Sequence, residues 1–191
     1  MVPQVPPLHD DIRWRRLTRT GLRCASCGQL HKGLFDLAAD APAHWRGPAE
    51  PEPNSALGDR THALTHDFCI IEGEDYFIRC VLRLPIVGAE NEFFAYGVWS
   101  SLSANKFRLY HDTFDSHEQG ELGPWFGWFS SSLKGYPETI GLKCKVHPQS
   151  DRKRPFIELE PTDHLLSVEQ REGVTLDRLL EIFALNGHDL R

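Results

Sequence analysis

Residues 24–31 read CASCGQLH, so two thiols and an imidazole lie within eight positions, directly after the basic stretch RWRRLTRTGLR. Cys24-x2-Cys27 followed by Gly28 is the spacing of a zinc knuckle. A tight turn there lets both sulfurs reach one ion while backbone amides support the thiolates. One such pair is half of a tetrahedral site. His31 follows by a short hop, and His44, the pair His62 and His66, and Cys69 are the remaining candidates. His62-x3-His66 has the spacing of a zinc-finger histidine pair, but its distance from Cys27 greatly exceeds the usual finger. In the run DFCII, strand alternation turns Cys69 away from Phe68 and Ile70, so it need not be buried with them. The expected ligand set is therefore Cys24, Cys27, Cys69 and His31, around a structural zinc. A redox pair is the competing use of C-x2-C, but such motifs end a strand within alternating βαβ architecture, which this chain does not display. The lone histidines His9, His111, His117 and His188 read as solvated surface residues.

A second cluster lies in IELEPTDHLLSVEQREG, residues 157–173. An enzyme reading makes His164 a general base oriented by Asp163 or Glu160, because a carboxylate fixes the imidazole tautomer and raises its basicity. The structural reading explains more of these residues. Pro161-Thr162-Asp163 forms a turn leaving a strand, and Ser167 with Gln170 three positions later reads as a capping box. GxSxG, P-loop, GxGxxG and HExxH motifs are absent from the sequence, and so are Cys-His protease signatures. The third constellation is aromatic and includes Trp99, Trp125 and Trp128. Such density lines recognition grooves, although core packing is its commoner use. These three tryptophans are the expected binding residues.

The elements that must position these groups follow from periodicity. DFCIIE, Gly73-Glu74-Asp75 and YFIRCVLRLPIV form a hairpin, with Tyr76, Ile78, Cys80, Leu82 and Leu84 on one face of its second arm. EFFAYGVWSSLS, PWFGWFSSSL, TIGLKCKVHP and RPFIELEP are further strands, with Cys144 on an apolar face like Cys80. A helix is expected between Ser103 and Phe114. Another follows Thr175, where Leu176, Leu179, Leu180 and Phe183 recur at helical spacing and Gly187 stops the run. Strands flanked by helices without regular alternation predict a single α+β domain over residues 12–191, with a mainly antiparallel sheet, a C-terminal packing helix and an N-terminal zinc-knuckle-like segment. Within it, residues 1–11 read as a disordered tail, 12–40 as the CxxC segment, 41–60 as a Pro-rich loop and 61–191 as the α+β body.

Composition bounds the function. The chain has 191 residues, 40% hydrophobic and 25% charged, enough for one sizeable core. Its longest apolar runs fall short of a membrane helix and the N-terminus lacks an apolar leader, so the expectation is a cytoplasmic protein without a membrane partner. Five cysteines, an odd count, suit ligands and core thiols in a reducing compartment. A net charge of −6 opposes broad nucleic-acid binding. Arg13, Arg15, Arg16 and Lys32 nevertheless define an alternative as a zinc-ribbon nucleic-acid binder.

Taken in order, CASCGQLHKGL, DFCIIEGEDYFIRCVLRLPI, YGVWSSLS, WFGWFSSSLKGYPETIGLKCKVH and IELEPTDHLLSVEQREGV resemble a bacterial family known as domain of unknown function 2199. The resemblance runs from about Cys24 to about Gly173. It implies a bacterial cytosolic protein with an N-terminal CxxC, and places Cys24, Cys27, His31 and Cys69 on positions that the family pattern features. It carries no activity or substrate. The leading expectation is thus a non-catalytic binding or regulatory protein, with an unidentified protein or small-molecule partner. A hydrolase using Asp163, His164 and Glu160 is the alternative from a different class.

Overall fold

A computed structural model of the chain describes residues 7–190. The architecture is α+β: a mixed, mainly antiparallel sheet with helices packed on its inner face. The first part of the expected tail, residues 1–6, lies outside the described residues. Its remainder is built: Leu8–Asp10 form a 3-10 turn, and Asp11 caps helix α1 (Ile12–Arg15) by accepting from the Arg13 amide. The helix widens into a π turn over Arg16–Thr20, whose Leu17 is fully buried.

Strands β1 (Leu22–Arg23) and β2 (Leu30–His31) form a small antiparallel hairpin, and β3 (Leu37–Ala38) joins the main sheet. The predicted hairpin is present as β5 (Phe68–Ile71) and β6 (Asp75–Pro85), preceded by the short β4 (Ala63–Leu64). β6 is the spine of the sheet. Along one edge it pairs antiparallel with β7 (Phe93–Leu102) from Tyr76↔Leu102 to Pro85↔Phe93. Along the other it takes β5 at its start and, in parallel, β10 (Phe156–Leu159) near Val81 and Leu82. β9 (Lys143–His147) and β8 (Trp125–Trp128) continue outward antiparallel. Ser100 of β7 then bridges Phe129, just past β8, so the last strand returns to β7 and the sheet curls back on itself.

Alternation places the core as the sequence indicates. Ile78, Cys80, Leu82 and Leu84 of β6 and Phe94, Tyr96 and Val98 of β7 all face inward. They are covered by α2 (Ala104–Asp112), α3 (Leu165–Glu172) and α4 (Leu176–Leu185). The predicted helix between Ser103 and Phe114 is α2. Burying each large apolar side chain contributes roughly 1.5–3 kcal/mol, which explains why helices of eight to ten residues persist here. The opposite face of the sheet is not bare. Leu64, Cys69, Phe77 and Trp99 form a second apolar cluster there, overlaid by Ala39, Ala41 and Trp45 from the end of the CxxC segment and the Pro-rich loop.

Helix α4 begins as expected, with the Thr175 hydroxyl accepting from the Arg178 amide at 3.2 Å. Its end positions one side of the candidate site. Gly187 takes φ +90°, its amide reaches the Ala184 carbonyl, and the His188 amide donates to the Phe183 carbonyl at 2.9 Å. This pair of reversed hydrogen bonds is a Schellman ending, which turns the chain back beside the last helical turn. The start of α3 differs from the expected capping box. His164 is the cap, and Ser167 and Gln170 lie inside the helix, where they hydrogen-bond to the Glu160 and Ile157 carbonyls respectively.

Candidate metal centre

The knuckle is a tight turn between β1 and β2. The Cys24 amide donates to the Gln29 carbonyl at 2.8 Å, and the Gly28 amide donates to the Cys24 carbonyl at 2.9 Å with φ +71° at Gly28. This left-handed position suits glycine. The turn places the Cys24 sulfur 3.4 Å from the Cys27 amide, a backbone N–H that supports negative charge on sulfur. Register across the hairpin, Leu22↔His31, then returns His31 to the cysteines, with Nε2 3.3 Å from the Cys27 sulfur.

The fourth donor comes from the other end of the chain. Cys24, Cys27, His31 and His188 bring one donor atom each to within 4.8 Å of one another, close enough to hold a metal ion. His188 is carried there by the Schellman turn and by a stack of rings. Phe35 packs face to face on Phe183 of α4 at 4.2 Å, and His31 and His188 flank Phe35 at 4.8 and 5.1 Å. The two imidazoles meet edge-on at 5.0 Å. The tail is also tied directly to the knuckle, because the Ala25 amide donates to the Asp189 carbonyl at 2.7 Å and Leu190 is buried.

The donor set passes two tests for a metal. A tetrahedral zinc with about 2.3 Å Zn–S and about 2.0 Å Zn–N bonds needs donors about 3.3–3.8 Å apart. The observed cluster therefore needs a contraction of about 1 Å at its widest separation, within the reach of side-chain rotation. Second, Nδ1 of His188 is buried without a hydrogen-bond partner. An orphaned buried nitrogen costs free energy, and a metal bond at Nδ1 would remove that cost. Among the thiols, burial opposes ionisation of Cys24, but hydrogen bonds from Cys27 and Ser26 outweigh it and hold the thiol below its ordinary range.

Cys69 is not brought to this centre. Its sulfur is fully buried on the second face of the sheet among Leu64, Phe77 and Trp99, and desolvation pushes its pKa up to about 12. Alternation was right about its direction. Cys69 is buried nevertheless, because Trp99 and the loop around Trp45 cover the face to which it points. His188 corrects the opposite error: it is not a solvated surface residue. Its local signal was a histidine directly after a glycine helix stop, but only the docking of α4 on Phe35 brings it to the cysteines. His44 and His62 lie by the Pro-rich loop and β6 instead, His62 stacked on Trp45 at 4.5 Å and His44 6.4 Å from Phe77.

The acid and base candidates are held apart. His164 Nδ1 accepts from the Leu166 amide at 3.2 Å, while Nε2 is 3.1 Å from the Glu138 carbonyl. The Nε2–H tautomer satisfies both contacts and leaves neither nitrogen free for a substrate. Glu160 faces Lys143 at 3.7 Å, and Asp163 is exposed. The tryptophans divide. Trp99 is wholly buried and donates its indole N–H to the Ala39 carbonyl at 3.1 Å. Trp125 and Trp128 line a groove of about 590 Å³ with Phe126, Ser101 and Lys106, where β8 diverges from β7. Of the basic residues near the knuckle, Arg13 is held by Asp11 and Asp177 at 2.7 and 2.6 Å, and Arg15 reaches the Asp10 carbonyl.

Residues 23–174 match a protein family described as uncharacterized protein conserved in bacteria, DUF2199. The chain belongs to the DUF2199 family. No curated protein and no solved structure is detectably similar to it. Three of the clustered donors of this DUF2199 chain fall inside the matched stretch, whereas His188 and all of α4 fall after it. Among the described residues, no helix is long and apolar enough to cross a membrane.

Proposed function

We propose that this DUF2199 chain is a cytoplasmic, non-catalytic binding or regulatory domain clasped by a structural zinc ion on Cys24, Cys27, His31 and His188. The observation that carries the reading is the convergence of two sulfurs and two imidazoles from opposite ends of the chain, with one imidazole nitrogen buried and unpartnered. Two thiolates and two imidazoles suit zinc and disfavour magnesium or calcium, which take oxygen ligands. All four tetrahedral positions are filled by protein groups, so no position is left for a substrate, as in structural rather than catalytic zinc sites. The zinc would join the knuckle to the tail after α4 and so fix the N- and C-terminal segments on the same side of the core. We assign the binding role to the groove bordered by Trp125, Phe126 and Trp128, where Phe126 and Trp128 present exposed rings beside Lys106, and Trp125, itself buried in the core, backs them.

Protein purified without chelator is expected to carry one zinc per chain by elemental analysis. Cys24→Ser and His188→Ala are each expected to lose it. With zinc at about one hundred times its dissociation constant, mass action contributes about 2.7 kcal/mol. Cys24→Ser should therefore lower the thermal midpoint by about 5–10 °C. Metal-free protein with a midpoint unaffected by Cys24→Ser would refute the clasp.

A further inference from the structure

Two of the four clasp donors are thiols separated by a single turn, and they differ in access. The Cys27 side is exposed, whereas Cys24 is only 1% exposed and lies beneath it. Both sulfurs lie within the 4.8 Å span of the cluster. A disulfide needs them at about 2.05 Å, which a C-x2-C turn reaches by side-chain rotation. The other sulfurs cannot intercept an oxidant. Cys69 and Cys80 are 0% exposed and Cys144 is 2% exposed, each in the interior of the sheet. Finally, one clasp donor, His188, sits on the last described turn of the chain, its amide on the Phe183 carbonyl and its ring against Phe35 and His31. The Asp189 carbonyl meets Ala25, the Asp189 amide meets the Ser26 hydroxyl at 3.4 Å, and Leu190 fills the edge of the core.

From this arrangement we infer that Cys24 and Cys27 form an oxidation site for hydroperoxides, at which disulfide formation expels the metal and unlatches the C-terminal tail. The inference rests on the zinc clasp proposed above. The Cys27 thiolate attacks the terminal peroxide oxygen, the O–O bond breaks, and the products are the Cys27 sulfenic acid and the leaving alkoxide (hydroxide, for hydrogen peroxide), which solvent protonates to an alcohol or to water. The Cys24 thiolate then attacks the Cys27 sulfur, the S–O bond breaks, and a second hydroxide leaves. Two electrons pass from the pair of sulfurs to the peroxide. The ion has then lost two of its four ligands, and two imidazoles alone hold it weakly, so it passes to solvent. Without the ion His188 loses its bonded link to the two cysteines and His31, and ring packing against His31 and Phe35 is what remains of it. Residues 186–190 are then held by contacts that include the helix-end hydrogen bonds to Ile182, Phe183 and Ala184, those to Ala25 and Ser26, and Leu190 at the core edge, without the metal bond. A thiol reductant with zinc reverses the sequence.

The test uses the zinc-loaded 191-residue chain, hydrogen peroxide in modest excess, a chromogenic zinc indicator, peptide mass mapping and amide hydrogen exchange. Peroxide should release one zinc per chain, the mapped disulfide should join Cys24 to Cys27, and Cys69, Cys80 and Cys144 should stay reduced. Exchange at residues 186–190 should rise about tenfold or more, while that of β6 and β7 stays unchanged. Dithiothreitol with added zinc should restore the starting state. In His188→Gln, which keeps both thiols, the tail should already exchange fast and peroxide should add nothing further at the tail. Zinc retained through peroxide treatment, oxidation that maps to other cysteines, or a tail equally protected before and after would each overturn the switch while leaving the clasp intact. A chain that never holds zinc would instead remove the clasp, and the switch with it.

Discussion

Cys24 and Cys69 are buried alike, at 1% and 0% exposure, yet their surroundings give the two sulfurs opposite chemistry. Cys24 sits in a turn whose amides point at it, beside another thiol and two imidazoles, so its sulfur has partners that favour the thiolate. Cys69 sits on a strand whose amides are spent on β4 and β6, between Phe77 and Trp99, so only the neutral thiol is accommodated. Cys144 falls with Cys69: burial raises its pKa to about 11, against a lowering hydrogen bond with Ser100. Burial alone therefore does not distinguish a ligand from a core thiol. What distinguishes them is whether the backbone nearby has free donors, which turns have and paired strands lack.

That contrast can be broken by substitution. The largest expected effect lies on the Cys69 side of the sheet, where Trp99→Ala opens a cavity between Phe77 and Leu64. It should cost about 3–5 kcal/mol in chemical denaturation while leaving the zinc content at that of the parent chain. A loss of zinc there would mean that the two regions are coupled rather than separate. Next comes Cys69→Ser, which puts a hydroxyl among apolar side chains. We expect a loss of about 1–3 kcal/mol with zinc content again unchanged, the reverse of Cys24→Ser, whose effect should vanish when both proteins are stripped of metal. A Cys69→Ser chain that no longer holds zinc, and whose deficit vanishes when both proteins are stripped of metal, would restore Cys69 as a ligand. The smallest effect belongs to Trp128→Ala in the groove. Trp128 is 44% exposed and contacts Phe126 edge-on, so unfolding should shift by no more than about 0.5 kcal/mol. A larger loss would assign that ring to the core and remove it from the proposed binding surface.

Much of the molecule was legible before folding. The β5–β6 hairpin, the inward face of β6 and β7, and α4 with its cap and its stop follow from period two, period 3.6 and the behaviour of threonine and glycine at helix ends. His31 was legible as well, because a short antiparallel return from a C-x2-C-G turn brings a residue four positions on back to the cysteines. Residues 8–11 escaped this reading, since their order comes from the Asp11 cap and from packing of Leu8 against the core rather than from any local pattern.

The sequence by itself determined three of the four donors of the candidate centre, and the reason is range. Cys24, Cys27 and His31 are placed by one turn and one register, which are local and encoded within a dozen residues. The other decisions were tertiary. Alternation states that Cys69 points away from Phe68, but not that Trp99 and the loop at Trp45 seal the side it points to. A glycine stop states that α4 ends before His188, but not that Phe183 stacks on Phe35 and so delivers that imidazole to the knuckle. Periodicity assigns a side chain to a face. What lies across from that face is decided by contacts between segments far apart in the chain, and those exist only once the sheet and helices have packed.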